Sequence, residues 1–446
     1  MLFRHFLSVY FFSRRFFPGN MQKLVAKTGV RAFSTSPKLH SLWSKVEMAP
    51  ADPILGVSQA FQKCTSPDKL NLGVGAYRDE NGKPWVLPTV KAAEKKLFEM
   101  QEQGKVNKEY LPIDGIPEFY NAAVKLMLGD NCTPIKEGRN ITVQCLSGTG
   151  GLRLSAAIMG HYMKGTPIYL PNPTWGNHKA IYPKEGVEVK GYTYYDPKTC
   201  GLDFDGMIKD LKAAPAGSVV LLHACAHNPT GVDPSVEQWK EIAKVCVEGK
   251  LVPLLDSAYQ GFASGDFDKD AWACRYFAEL GIEMFLIQSF AKNMGIYGER
   301  TGAFTVICES KEVADKLKSQ LKIIIRTMYS NPPKNGAQIA STILNDPVAL
   351  AEWKAEVKIM ADRIIAMRQQ LYDGLKANGC PGSWEHVVNQ IGMFTYTGLK
   401  PAQVEILTNK WHVYLTKDGR ISMAGLSTPT CKYLADAIKD AVTTAP

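Results

Sequence analysis

The chain has 446 residues, 45% hydrophobic and 21% charged, which is the make-up of a folded protein with a large buried core and roughly two or three domains. Its formal net charge of +9 lies almost wholly in residues 1–46, which hold eight of the 52 basic residues and no acid, leaving 44 basic against 43 acidic residues in the body. That near-neutral body excludes nucleic-acid binding as a reading of the charge, because the excess is not on a folded face.

In chain order, the first segment is a leader rich in Arg, Phe and Ser, the composition of a mitochondrial transit peptide. The stretch Arg31-Ala32-Phe33-Ser34 reads as a matrix-processing site, so residues 1–33 are expected to be removed, and Met21 is an alternative start. Arg4 and the Arg14-Arg15 pair break the apolar run short of the ~20 residues a membrane span needs. The ten cysteines show no C-x-x-C and no Cys/His cluster at zinc spacing, so they read as free, mostly buried thiols and no metal is expected.

From residue 140 short apolar runs alternate with helical patterns. "ITVQCL" is followed by "SGTGG" and then "LRLSAAIMGHYMKG"; "PIYLP" by "NPTWGNH"; "SVVLLHACA" by "HNPTG". Ser235 to Gln238 has the spacing of a capping box opening "EQWKEIAKVCVEG". "LVPLLD", "MFLIQS" and "GAFTVIC" complete six runs. Continuous apolar strands between helices predict a mainly parallel sheet covered on both faces. After about residue 345, a long amphipathic stretch and short strands around "GMFTYTG", "WHVYLT" and "GRISMAG" predict a smaller α+β domain.

Polar residues stand just after these strands. In an open α/β sheet the ligand crevice lies outside the carboxyl ends of the strands, so Ser147, Trp175, Asn228, Asp256 and Lys292 can converge on one site. A pyridoxal phosphate site needs a lysine for the aldehyde, a carboxylate for the pyridinium and an anion cradle for the phosphate. Lys292 suits the first, with Arg300 nearby to lower its pKa. Asp256, ending "LVPLLD", suits the second; an N-cap or Asx turn is the alternative. Tyr259 is either a donor to the ring oxygen or core packing. "SGTGG" before a helix suits the third, although such turns are common. It is not a Walker A loop, and no G-x-G-x-x-G follows a first strand, which argues against a nucleotide phosphohydrolase and a Rossmann dehydrogenase. Arg420 and Arg326 are either solvated surface groups or bidentate partners for a substrate with a carboxylate at each end.

Ten motifs from about Trp43 to the C-terminus now resemble the aspartate aminotransferases, fold type I pyridoxal-phosphate enzymes, and their mitochondrial branch in particular. Among them are "NLGVGAYRDENGKPWVLP", "EYLPIDG", "PNPTWGNH", "DSAYQGFASG", "SFAKNMGIYGERTG" and "GRISMAG". The resemblance implies an α/β large domain (85–345) with a mainly parallel seven-stranded sheet flanked by helices. It also implies a small domain (346–446), and a segment 47–84 packing with it. It makes Lys292 the imine lysine that moves a proton between the substrate Cα and the cofactor C4′. Asp256 becomes the pyridinium partner, His178 its supporting contact, and Tyr259 and Asn228 donors to the ring oxygen. Ser147, Gly148, Thr149, Ser289 and Arg300 become the phosphate cradle, and Trp175 the stacking ring. Gly75 becomes a backbone contact to substrate and Arg420 the α-carboxylate clamp. Tyr110 and Arg326 reach in from a second subunit, to the phosphate and the side-chain carboxylate respectively. The implied activity is ping-pong amino transfer from L-aspartate to 2-oxoglutarate in a homodimer of the mitochondrial matrix, with amino acids and 2-oxo acids as partners. A relative acting on aromatic substrates or kynurenine is the nearest rival, and a non-catalytic binding protein the more distant one.

Overall fold

The computed structural model describes residues 41–49 and 55–445; the leader and its processing site lie outside the described residues. Residues 41–49, taken by themselves, form a short turn in which Ser44 N–H donates to Ser41 O at 3.1 Å.

The main body is built on a seven-stranded sheet. In chain order its strands are β1 (Asn140–Leu146), β2 (Ile168–Asn172), β3 (Val189–Thr193), β4 (Val219–His223), β5 (Val252–Ser257), β6 (Met284–Ser289) and β7 (Thr301–Ile307). Across the sheet they lie β1-β7-β6-β5-β4-β2-β3. Only β7 runs antiparallel, to both of its neighbours. All six apolar runs are strands; β3 is the one they omit. Only Tyr192 of β3 is buried, and Lys190 and Gly191 interrupt its pattern. It is an edge strand, which asks for no continuous apolar run.

The apolar runs are continuous because both faces are covered. Successive residues of one strand point to opposite faces. Val219 and Leu221 of β4 join one buried cluster and Val220 and Leu222 another. The same split separates Leu254 from Leu255 in β5 and Phe285 from Leu286 in β6. Helix Ser147–Tyr162 supplies the first cluster with Leu152, Ile158 and Met159; helix Val236–Glu248 supplies the second with Ile242 and Val245. The capping box is formed: Ser235 Oγ accepts from Gln238 N–H at 3.2 Å, and Gln238 Oε1 accepts from Ser235 N–H at 2.8 Å.

The C-terminal region packs around helix Pro347–Ala377, whose Ile364, Met367, Leu371 and Leu375 recur at helical spacing and are buried. Strand Phe394–Tyr396 pairs antiparallel with Arg420–Ser422. Early in the chain, Leu70–Asn71 pairs in parallel with Val413–Tyr414. Ser422 N–H then donates to Leu72 O at 2.8 Å, which lays the following residues, Gly73 to Arg78, beside the C-terminal strands. All ten cysteines are free, Cys64 and Cys200 half-buried and the others buried. No helix of the described residues is long and apolar enough to cross a membrane.

Candidate active site

Six strands bring their carboxyl ends to one edge of the sheet, and β7 begins at that edge because it runs the other way. A cavity of about 200 Å³ lies there, lined by residues from the ends of β1, β4, β5 and β6 and from the start of β7. It has an anion-binding corner, a buried carboxylate, a lysine and a buried arginine.

The anion corner is set by Ser147. Helix Ser147–Tyr162 starts directly at the end of β1, so the "SGTGG" turn is the first turn of the helix itself. The residue before it, Leu146, gives no side-chain cap, and the first turn holds no acid. The first N–H groups of a helix have no intrahelical partner, and an uncapped N-terminus favours an anion. Ser147, Gly148 and Thr149 line the cavity. Ser289, at the end of β6, stands behind them with its Oγ 2.7 Å from Ser147 Oγ. Arg300 enters from the start of β7 and donates through Nη1 to Tyr297 O at 2.9 Å. Ser147 and Arg300 both have positive φ, +58° and +53°. Non-glycine residues hold that conformation at a cost, which their surroundings must offset.

Asp256, near the end of β5 and 8% exposed, is the buried carboxylate. Its partner in the parallel register is His223 of β4. A directed chain of hydrogen bonds ends on it. Asn228 N–H donates to His223 Nδ1 (3.4 Å), which leaves the proton of a neutral His223 on Nε2, facing Thr174 Oγ1 at 3.0 Å. The Thr174 hydroxyl is then free to donate to His178 Nδ1 (2.8 Å), and His178 Nε2–H donates to Asp256 Oδ2 (3.1 Å). Burial pushes the His223 pKa down to about 3, which keeps it neutral. Burial pushes the Asp256 carboxyl up, but its contacts with His178, first of all the hydrogen bond, prevail, with His223 and Lys292 adding less, and hold it below the usual carboxylate range. Asp256 Oδ1 has no hydrogen-bond partner among the described residues. Trp175 lines the cavity and meets His178 edge-on, 5.4 Å between ring centres.

Lys292 follows β6. It is half-buried because it opens to the cavity, and burial lowers its pKa to about 8, with Asp256 opposing and Arg300 assisting. Its Nζ stands 4.9 Å from the Tyr259 ring centre. Arg420, 4% exposed, donates through Nη2 to Gly73 O at 2.7 Å and through Nη1 to Asn228 Oδ1 at 3.1 Å; its Nε has no partner. Its guanidinium carbon lies 4.2 Å from the Phe394 ring centre. Gly75 lines the same wall, and a Cβ there would stand 2.6 Å from Phe394 Cζ, so any larger residue would have to displace that ring.

Of the other residues singled out in the sequence, His178 and Ser289 support the cavity from behind. Tyr110 is 83% exposed, and Arg326 is exposed with Nη1 on Ser330 Oγ at 2.6 Å; neither lines the cavity. His223, Tyr297 and Phe394 line it without having been singled out. His223 had a signal, since a histidine inside an apolar strand must find a partner. Phe394 had none, because a phenylalanine in a short apolar strand reads as core.

The sequence matches the family described as aminotransferase class I and II over residues 67–438. It is 56% identical over 399 residues to the mitochondrial aspartate aminotransferase of Xenopus tropicalis, covering 89% of this chain and 92% of that one. The fold is similar to aspartate aminotransferase from Saccharomyces cerevisiae cytoplasm, with a TM-score of 0.89, 42% identity, and 91% of this chain and 100% of that one covered. It is also similar to the aromatic-amino-acid aminotransferase of Burkholderia pseudomallei, a structure covalently bound to pyridoxal phosphate, with a TM-score of 0.87, 43% identity, and 90% of this chain and 100% of that one covered.

Proposed function

The chain belongs to the class I and II aminotransferases, and from that premise we propose how its residues move an amino group reversibly from L-aspartate to 2-oxoglutarate, giving oxaloacetate and L-glutamate. Pyridoxal 5′-phosphate is the family's cofactor. The residues present fit it. The observation that carries the reading is Asp256 Oδ1, an unpartnered oxygen on a buried ionised carboxylate. Such an oxygen calls for a cationic N–H donor, which a protonated pyridine nitrogen is. The uncapped helix N-terminus with Ser147, Gly148, Thr149, Ser289 and Arg300 suits the phosphate.

When bound, the cofactor supplies an aldehyde carbon for the amino group and an electron-poor ring that draws negative charge from the substrate Cα. The chain's residues do the rest. Lys292 would anchor the cofactor's aldehyde carbon and would be freed when the substrate amino group takes its place; with a pKa near 8, part of the freed amine is unprotonated near neutral pH and can take the proton from the substrate Cα. Asp256 stays ionised, held by His178, and would keep a proton on the ring nitrogen. Tyr259 and Asn228 would donate to the ring oxygen, and Trp175 would stack on the ring. Arg420 takes the substrate α-carboxylate with its unpartnered Nε and an Nη, and Gly75 contacts the substrate through its backbone. Both half-reactions use this one site, so the first oxo acid leaves before the second enters.

Tyr110 and Arg326 act in a second copy of the chain, completing a homodimer with shared sites. Their exposure, and their absence from this chain's own cavity, support that reading. The enzyme works in the mitochondrial matrix, a reading supported by the acid-free leader and by relatives named as mitochondrial. Residues 85–345 form the large domain and 346–446 the small one, and the pairing of Leu70 with Val413 supports grouping the preceding segment with the latter.

The experiment is the visible absorbance of the cofactor-loaded protein. The band should bleach with L-aspartate and return with 2-oxoglutarate. A band that ignores aspartate and bleaches with an aromatic amino acid would overturn the substrate reading.

A further inference from the structure

Arg368 lies on helix Pro347–Ala377 and is 2% exposed. Its bonded partners are neutral. Nη1 donates to Val387 O at 2.9 Å and Thr395 Oγ1 at 2.5 Å. Nη2 donates to Gly392 O at 2.8 Å and Phe394 O at 2.5 Å. Its Nε has no partner. A buried cation without a counter-ion is costly, and burial pulls its pKa down to about 9. A hydrophobic side chain at this core position of the helix would avoid that cost.

What the guanidinium holds lies next to the cavity. Its four partners span one segment, residues 387–395, which runs from the short helix His386–Asn389 through a loop into strand Phe394–Tyr396. That loop rests on the turn carrying Asn228: Ile391 N–H donates to Gly231 O at 2.7 Å. Gly392, at φ +77°, passes so close to Ala226 that a Cβ on it would lie 2.3 Å from that of Ala226. The loop ends in Phe394, whose ring faces the Arg420 guanidinium at 4.2 Å. Phe394 also begins the strand that pairs with the strand of Arg420.

We propose that Arg368 is a positioning residue for carboxylate recognition: by tying both ends of the 387–395 segment it fixes Phe394 against Arg420 and thereby sets how tightly the substrate carboxylate is held. This rests on the reading of Arg420 as the α-carboxylate clamp. It separates Arg368 from an ordinary stabilising group, whose loss lowers thermal stability and leaves recognition intact.

The test uses Arg368→Met, Arg368→Lys and Thr395→Val in the cofactor-loaded enzyme. KM for aspartate and for 2-oxoglutarate should both rise, by about tenfold in Arg368→Met and about threefold in Thr395→Val, the range expected of a residue that acts on binding only through another. The kcat should change less than about threefold, and Arg368→Lys should recover part of the loss. The Kd of succinate, a dicarboxylate that cannot react, should rise by the same factors in calorimetry. A lower Tm with KM and succinate affinity unchanged would overturn the proposal. If Arg368→Met does not fold, unchanged succinate affinity in Thr395→Val and Arg368→Lys overturns it equally. Wild-type protein that binds succinate but does not turn over aspartate would instead overturn the functional reading.

Discussion

His178 Nε2 lies 3.1 Å from Asp256 Oδ2, and this one contact leaves the other carboxylate oxygen without a partner beside the cavity. Half of the carboxylate is satisfied by the protein and half is reserved. The contact depends on a hydroxyl two steps back, since Thr174 Oγ1 touches both His178 and His223.

Asp256→Asn should therefore cut kcat by roughly 10²–10³-fold, because a neutral amide no longer holds a proton on the ring nitrogen. Thr174→Val keeps the shape but breaks the chain of hydrogen bonds, and should cost about tenfold, as the loss of an orienting contact does elsewhere. It should also move the acid limb of the pH–rate profile upward, since Asp256 owes part of its lowered pKa to His178. A profile unchanged in Thr174→Val would show that the chain does not tune the carboxylate.

Lys292→Met should lower activity by at least about 10²–10⁴-fold, the usual contribution of a general acid–base group. It also makes a stability prediction for the cofactor-free protein. The Lys292 pKa falls from 10.5 to about 8 on folding. Between those values the unfolded chain binds a proton that the folded chain does not, so stability rises with pH there. Below pH 8 the burial penalty on the charged amine is fully present, and Lys292→Met should be the more stable protein. Its advantage in Tm should shrink from pH 8 to 10.5; a constant difference would contradict the shift.

Arg326→Ala should reduce kcat/KM for aspartate far more than for an aromatic amino acid. Truncating one partner of a desolvated charge pair costs roughly 2–5 kcal/mol, so the expected loss on aspartate is about 30-fold or more. Equal losses on both substrates would sink the dicarboxylate reading. If the residue acts in the neighbouring copy, mixing Arg326→Ala with an inactive Lys292→Met protein should restore activity in the hybrid dimers. Failure to complement would argue that each chain works alone.

Gly75→Ala should raise KM for both substrates. The added methyl would meet Phe394 Cζ at 2.6 Å and push the ring off Arg420. Overpacking of this kind costs about 1–3 kcal/mol. Steady-state kinetics on both half-reactions would check it, and an unchanged KM would mean that the ring yields without disturbing the clamp.

Much of the site was legible because it is carried by strand ends. An apolar run that stops at Asp256, or at Ser289 just before Lys292, marks where the chain leaves the sheet, and the sheet's parallel order brings those ends together. The reversal of β7 explains why an arginine follows the lysine so closely: the chain turns back and re-enters the sheet at the same edge, beside Ser147 and Ser289. β3 escaped notice because an edge strand keeps few buried residues. Arg368 escaped because an arginine in an amphipathic helix is ordinarily on the wet face, and its place among Ile364, Leu371 and Leu375 was the only local hint.

By itself the sequence determined the element types, the residues at the strand ends and the chemistry they suit, because periodicity, capping and turn composition act over a few neighbouring residues. Tertiary structure alone decided which side chain stands against Arg420. Gly75, Phe394 and Arg420 meet through the 420–422 strand and a guanidinium on a distant helix. No local pattern encodes that meeting, because the energy that fixes it comes from packing and hydrogen bonds between residues 26 to 347 positions apart.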